Sequence, residues 1–235
     1  MRTNRTMIAT ALTLMVGAAT VAQAQDPKGR RDQNNQTVSR EEQQQRIQQQ
    51  QQRNVQYRRQ LDQQSRIAQE QAAALQQQKR ASQYAFQQQY AARLAKQQRE
   101  IQATRDYSRD PYISAPQSYR YIIGGNSRMT NQYGADVLRQ SVNYGYQEGW
   151  QAGQADRQDH WPANYQNSAA YRDANYGYNG NYVDQSDYNY YFRQGFQRGY
   201  DDGYYSRSQY GSSLNGSYSI LGAVLSSILG FQSLR

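Results

Sequence analysis

The alternation of apolar and polar positions changes character twice along the chain. A short apolar stretch, Met7 to Val16 with Ala18 and Ala19, follows Arg2 and Arg5 and precedes Ala22-Gln23-Ala24. A basic start, an apolar centre and a small-x-small ending predict a signal peptide over 1–24, with Gln25 opening the mature chain. The stretch is shorter than the roughly 20 residues a membrane-spanning helix needs. Beyond a polar linker over 25–38, expected to be disordered, apolar residues recur near every seventh position: Ile47, Leu61, Ala68, Leu75, Leu94 and Ile101. The seam positions between them are mostly Gln, Asn54 or Ser82. This pattern predicts a long polar helix, or a weak coiled coil, over 39–109.

Punctuation supports that helix. No Gly lies between Gly29 and Gly124 and no Pro between Pro27 and Pro111, while Gln, Arg and Ala, all good helix formers, dominate. Ser39 with Glu41 and Glu42 marks its start, and Pro111 its end. A continuous helix of that length would run on the order of 100 Å. The denser patch Tyr84-Ala85-Phe86, with Tyr90, Ala91, Ala92 and Leu94, is the expected docking point.

The second half has another rhythm, in which two segments align at an offset of 50 residues. One is Gly145-Tyr146-Gln147-Glu148-Gly149-Trp150-Gln151-Ala152-Gly153, the other Gly195-Phe196-Gln197-Arg198-Gly199-Tyr200-Asp201-Asp202-Gly203. Arg157 and Arg207 also correspond. Glycine at every fourth position puts Gly145, Gly149 and Gly153 on one helix face, and Gly195, Gly199 and Gly203 on another. Three such glycines cost a helix roughly 3 kcal/mol relative to alanine, so close packing has to recover that penalty. Helices near 135–157 and 187–207 are therefore predicted to pair through these glycines, with Tyr146, Trp150, Phe196 and Tyr200 closing over the seam. The charged residues within both segments exclude the membrane version of this motif. The two segments resemble the G-[FY]-x-x-G-[YW]-x-x-G repeats of uncharacterised secreted bacterial proteins, a resemblance that brings no activity and no functional residues.

Around this pair, 110–133 is expected to be a linker, although Tyr119 to Gly125 could form a short strand ending in a Gly-Gly turn. Trp161 to Asp184 reads as a long connection with a short helix near Ser168 to Asp173. The stretch from Asp173 to Asp184 has a superficial likeness to a calcium loop, but Tyr178 stands where the sharp turn needs Gly, and Asp184 where a bidentate Glu is needed. An apolar helix is expected near 218–232, either completing the core or serving as an interfacial tail. The expected fold class is all-α: a long polar N-terminal helix, then a Tyr/Gly-rich helical module over 134–235 with extended loops and partial disorder.

Composition narrows the chemistry. Leu, Ile, Val and Phe number only 32 among 235 residues, and the 23 Tyr must supply apolar area instead, each hydroxyl needing a partner. The chain has no Cys and one His, which removes disulfides, thiol chemistry and most imidazole catalysis. His160, between Asp159 and Trp161, has the setting of a surface or turn residue. No phosphate loop, dinucleotide fingerprint or zinc spacing is present. Residues 25–110 carry 16 Lys/Arg against 9 Asp/Glu, whereas 111–235 carry 9 of each, so the excess charge lies in the Gln-rich half.

These features point away from an enzyme and away from metal or cofactor sites. They fit an exported structural or interaction protein of the bacterial cell envelope, periplasmic, outer-envelope associated or secreted, that assembles through Gly-faced helices. The alternative is a module binding glycans or anionic polymers through the basic helix and clustered Tyr. Self-association through the Gln-rich helix or the apolar C-terminal helix, and contact with envelope polysaccharide, are the expected partnerships. Export makes nucleic acid an unfavoured partner.

Overall fold

The computed structural model describes residues 38–101, 106–214 and 217–234, so the signal sequence at 1–24 and nearly all of the 25–38 linker lie outside the described residues. The fold is mainly helical. The Gln-rich stretch is two helices, α1 (Arg40–Gln77) and α2 (Ala81–Ile101), in place of one continuous rod. They lie antiparallel, with Gln87 donating to the Ala68 carbonyl, Ser65 to Gln98, and Gln97 to the Tyr57 hydroxyl.

The break at residues 78–80 contains neither Gly nor Pro. Lys79 takes the left-handed conformation at φ 58°, Lys79 N–H bonds the Gln76 carbonyl and Arg80 N–H the Leu75 carbonyl. This is the closing pattern usually built on glycine. Its backbone cost, roughly 1 kcal/mol for a residue with a Cβ, is met from elsewhere in the chain. Arg80 is buried in an ion pair with Asp156, and its guanidinium lies 4.4 Å from the Trp161 ring. Both carboxylate oxygens of Asp159 accept the first free N–H groups of α2, from Ser82 and Gln83, each at 2.9 Å. Asp156, Asp159 and Trp161 lie at the end of the next long helix, so the rod is folded back by partners remote in sequence.

That helix, α3 (Gln132–Gln158), is capped by Asn131 and pairs with α5 (Gln185–Tyr205). The two run parallel, and their glycines alternate across the contact. A Cβ on Gly145 would stand 2.0 Å from the Phe192 carbonyl oxygen, on Gly149 2.1 Å from that of Phe196, and on Gly153 2.2 Å from that of Tyr200. Reciprocally, Gly195 faces the Val142 carbonyl at 2.0 Å, Gly199 that of Tyr146 at 2.0 Å and Gly203 that of Trp150 at 2.1 Å. Each glycine on one helix thus meets the 50-offset counterpart of the residue met by its equivalent on the other. At this separation Cα–H groups point at carbonyl oxygens, contacts worth perhaps 0.5–1 kcal/mol each. Six of them recover about half to all of the ~6 kcal/mol that six glycines cost in helix propensity.

The rings close over the seam. Tyr188, Phe192, Phe196, Tyr200 and Tyr204 form a ladder along α5 with successive centroids 6.0–6.4 Å apart. Trp150 stacks on Tyr218 at 3.5 Å. Tyr146 donates to Asp202 at 2.9 Å and Tyr200 to Asp156 at 2.6 Å, tying each helix to an acid further along its neighbour.

The remaining elements wrap this pair. A short 3-10 turn, Tyr107–Arg109, stands where the Gln-rich helix was expected to end, and the expected 110–133 linker contains a hairpin, β1 (Tyr119–Ile123) with β2 (Asn126–Thr130), turned by Gly124 and Gly125 at φ 57° and 80°. A short α4 (Ala169–Asp173) lies in the connection, and β3 (Gly211–Leu214) pairs with β4 (Ser217–Ile220). The apolar C-terminal helix is shorter than expected: α6 (Gly222–Leu229) is flanked by β4 and by β5 (Gln232–Ser233), which adds to β1. Glycine after it at φ 54° and two strand pairings set those limits. Only Leu229 of this helix is fully buried.

Ala substitution at Gly149 or Gly199 should lower the unfolding free energy by about 3 kcal/mol or more, because a methyl group must displace a backbone carbonyl. Gly222→Ala, into open space, should change it by less than about 1 kcal/mol in the stabilising direction. Urea titrations of the full chain followed by circular dichroism measure all three.

Candidate binding groove

The helical hairpin meets the aromatic module through polar groups. Arg46 donates to the carbonyls of Ile113 and Ala115, Tyr182 N–H to Gln50, and Arg53 pairs with Asp184 at 2.8 Å. The former seam residues Leu61 and Leu94, with Tyr57, Phe86 and Tyr90, are buried in the same core, and Ala68 is buried too. Where the hairpin and the loop after α4 diverge, they leave an open groove of about 770 Å³.

One wall comes from α1 and α2, with Asn54, Arg93, Lys96, Gln97 and Glu100; the other comes from Tyr144 of α3 and the loop residues Tyr176, Gly177, Tyr178, Asn179 and Asn181. Gln97 fixes the loop. Its amide nitrogen donates to the Tyr178 carbonyl at 2.8 Å and its oxygen accepts Gly177 N–H at 2.8 Å. Gly177 sits at φ 87°, and a Cβ there would strike the Tyr144 ring at 2.3 Å, so only glycine lets the loop lie on that ring. Tyr144 and Tyr176 meet edge to face at 5.3 Å. Asn181 accepts from the Tyr107 hydroxyl at 2.5 Å and Asn179 donates to that of Tyr133 at 3.1 Å. Asn54 donates to Tyr107, while its Oδ1 is buried with no partner among the described residues.

Electrostatically the groove is balanced. Arg93 pairs with Glu148 at 2.5 Å and lies over Tyr176, and Lys96 faces Glu100 at 3.9 Å. Burial pushes the Glu148 carboxyl up to about 7, with Arg93 pulling against the rise. Burial also raises Tyr176, helped by the nearby Glu148 charge.

The ten residues singled out for helix packing all lie on α3 or α5, outside this groove. The six glycines form the seam, Tyr146 and Tyr200 bind acids, Phe196 is buried in the ring ladder and Trp150 is half-buried against Tyr218. His160 terminates α3 in the left-handed conformation at φ 54°. Its neighbour Asp156 is already engaged by Arg80 and Tyr200, and burial raises its carboxyl above the ordinary range. Among the described residues no group of three or more His, Cys, Asp or Glu is placed to hold a metal ion, and no helix is long and apolar enough to cross a membrane. Sequence reasoning passed over Gln97, Asn54 and Glu148. Gln97 looks like any other Gln of its helix, whereas Tyr176-Gly177-Tyr178 between asparagines was a visible cue. Comparison with protein-family models, curated proteins and solved structures finds no match.

Glu148 gives this junction a pH dependence. Its carboxyl is held above the ordinary value of 4.5. The folded state therefore binds the proton more tightly, and the associated stability is present in acid and lost as pH rises from about 4.5 through about 7. Glu148→Gln should flatten that part of the stability–pH curve, by up to about 3 kcal/mol. Urea midpoints from pH 4 to 8 for both proteins, read as a difference, check it.

Proposed function

We propose that the protein is an exported, non-catalytic interaction protein of the bacterial cell envelope that holds a neutral glycan in the groove between α2 and the 176–181 loop. The observation that carries this reading is the groove's composition: tyrosines on one wall, side-chain amides around them, and cations already paired with acids. Rings offer apolar faces to sugar C–H groups, and amides match hydroxyls that both donate and accept. Paired charges favour a neutral polymer over an anionic one, since an anion would have to compete with Glu148 for Arg93. Two buried acids elsewhere are engaged: Asp202 by Tyr146 and two backbone N–H groups, and Asp187 by Tyr121 and Arg128.

Assembly is the second reading, and one surface favours it. Ile122 and Met129 share the outward face of the β1–β2 hairpin and are about half exposed, as is Leu221 before α6. The glycine faces themselves are spent within the chain, so self-association would have to use such a patch or the outer face of the Gln-rich hairpin.

Isothermal titration of the full chain with neutral tetrasaccharides of glucose and of N-acetylglucosamine tests the proposal. Binding that weakens about tenfold in Tyr176→Ala and in Asn179→Ala is the expected outcome. Equal binding by both variants, or preference for dextran sulfate, would remove the neutral-glycan assignment. Large particles in light scattering without any sugar binding would favour assembly.

A further inference from the structure

A second cleft, of about 760 Å³, opens on another side of the hairpin, between α1 and the α4–α5 face. Its floor carries the aliphatic side chains of Ala68, Leu94 and Ala169, with Ile67 exposed at the edge. Its rim carries two opposite charges that do not pair with each other, Arg172 and Asp173, adjacent on α4. The Asp173 oxygens each accept one neutral donor, the Tyr90 hydroxyl at 2.5 Å and the Asn175 amide at 3.0 Å, and no cation lies within ion-pair distance among the described residues. Burial raises this carboxyl above its ordinary value, while the Tyr90 and Asn175 bonds and the more distant Arg193 charge pull it down. Arg172 is exposed and likewise has no ion-pair partner among the described residues. Arg193, also lining the cleft, is occupied by the carbonyls of Tyr171 and Arg172. Gln64 Oε1 is buried without a partner and awaits a donor.

We propose that this cleft binds a short peptide with free termini and an aliphatic side chain. The ammonium group goes to Asp173 with Gln64, the carboxylate to Arg172, and the side chain to the floor. A half-buried carboxylate whose hydrogen bonds come only from neutral donors keeps lone pairs for a cation, and a charged hydrogen bond there is worth more than a neutral one. A sugar would leave both charges unanswered, and the Tyr90 ring that lines the cleft is fully buried. The volume falls in the range of ligand-sized clefts. This site shares no residue with the Tyr144–Tyr176 groove, and the proposal stands apart from the glycan assignment.

Calorimetric titration of the full chain with the tripeptide Ala-Leu-Ala, its N-acetylated form and its C-terminal amide tests the assignment without altering the protein. The free tripeptide should bind, N-acetylation should weaken it about tenfold or more, and amidation by several-fold, about the value of one charged hydrogen bond each. Asp173→Asn, which keeps an acceptor for Tyr90, should abolish the preference for the free amine. Arg172→Gln, on an exposed side chain, should abolish the preference for the free acid. Equal binding of all three peptides, no heat from the free tripeptide, or discrimination unchanged in both variants would overturn the proposal.

Discussion

Two helices can approach until backbone meets backbone only where Cβ atoms are missing at the contact, and α3 and α5 supply that condition to each other in turn. The glycines do more than permit closeness. Because each ladder faces carbonyls on the other helix, the register is fixed in steps of four residues, and the rings at intervening positions fall where they can stack. Parallel alignment then forces a long return path from the end of α3 to the start of α5. That path, residues 159–184, contains α4 and the loop walls of both clefts. The seam and the candidate sites are thus linked by topology.

A chain so poor in aliphatic residues builds its interior from phenols, and the hydroxyls dictate what surrounds them. Tyr90, Tyr121, Tyr146 and Tyr200 each donate to a carboxylate, and Tyr178 and Tyr188 each donate to a backbone carbonyl. Carboxylates that would be costly alone are stabilised by these donors and by Arg80 and Arg128. The Gln-rich hairpin belongs to this interior. Gln97 is buried and makes bonds to Tyr57, Gly177 and Tyr178 that an aliphatic side chain could not make.

What could be read from the sequence follows from how local each cause is. The repeated four-residue glycine spacing is a local pattern with one steric meaning, and the helical class with its all-α emphasis follows from it and from the unbroken Gln-rich stretch. The Gly124-Gly125 turn is equally local. The fold-back at Lys79 was invisible because its cause lies in Asp156, Asp159 and Trp161, about 80 residues away, while the residues at the break are themselves good helix formers. The clefts were harder still. Composition announced tyrosine and amide in abundance, but only the path of the chain selects Gln97 among many glutamines, or leaves Arg172 and Asp173 side by side without a bond between them.

The near-equivalence of the two glycine faces carries a corollary about identity. An α3 that fits the α5 of its own chain fits that of any sister chain equally well, since both chains carry the same glycine ladders and the same Tyr–Asp ties. Preference for the home partner therefore comes from the tether of 26 residues between the helices, which holds the local concentration of the matching face far above that of a stranger. Shortening or cutting that tether would turn a private handshake into an exchangeable one, the route by which duplicated elements become swapped dimers.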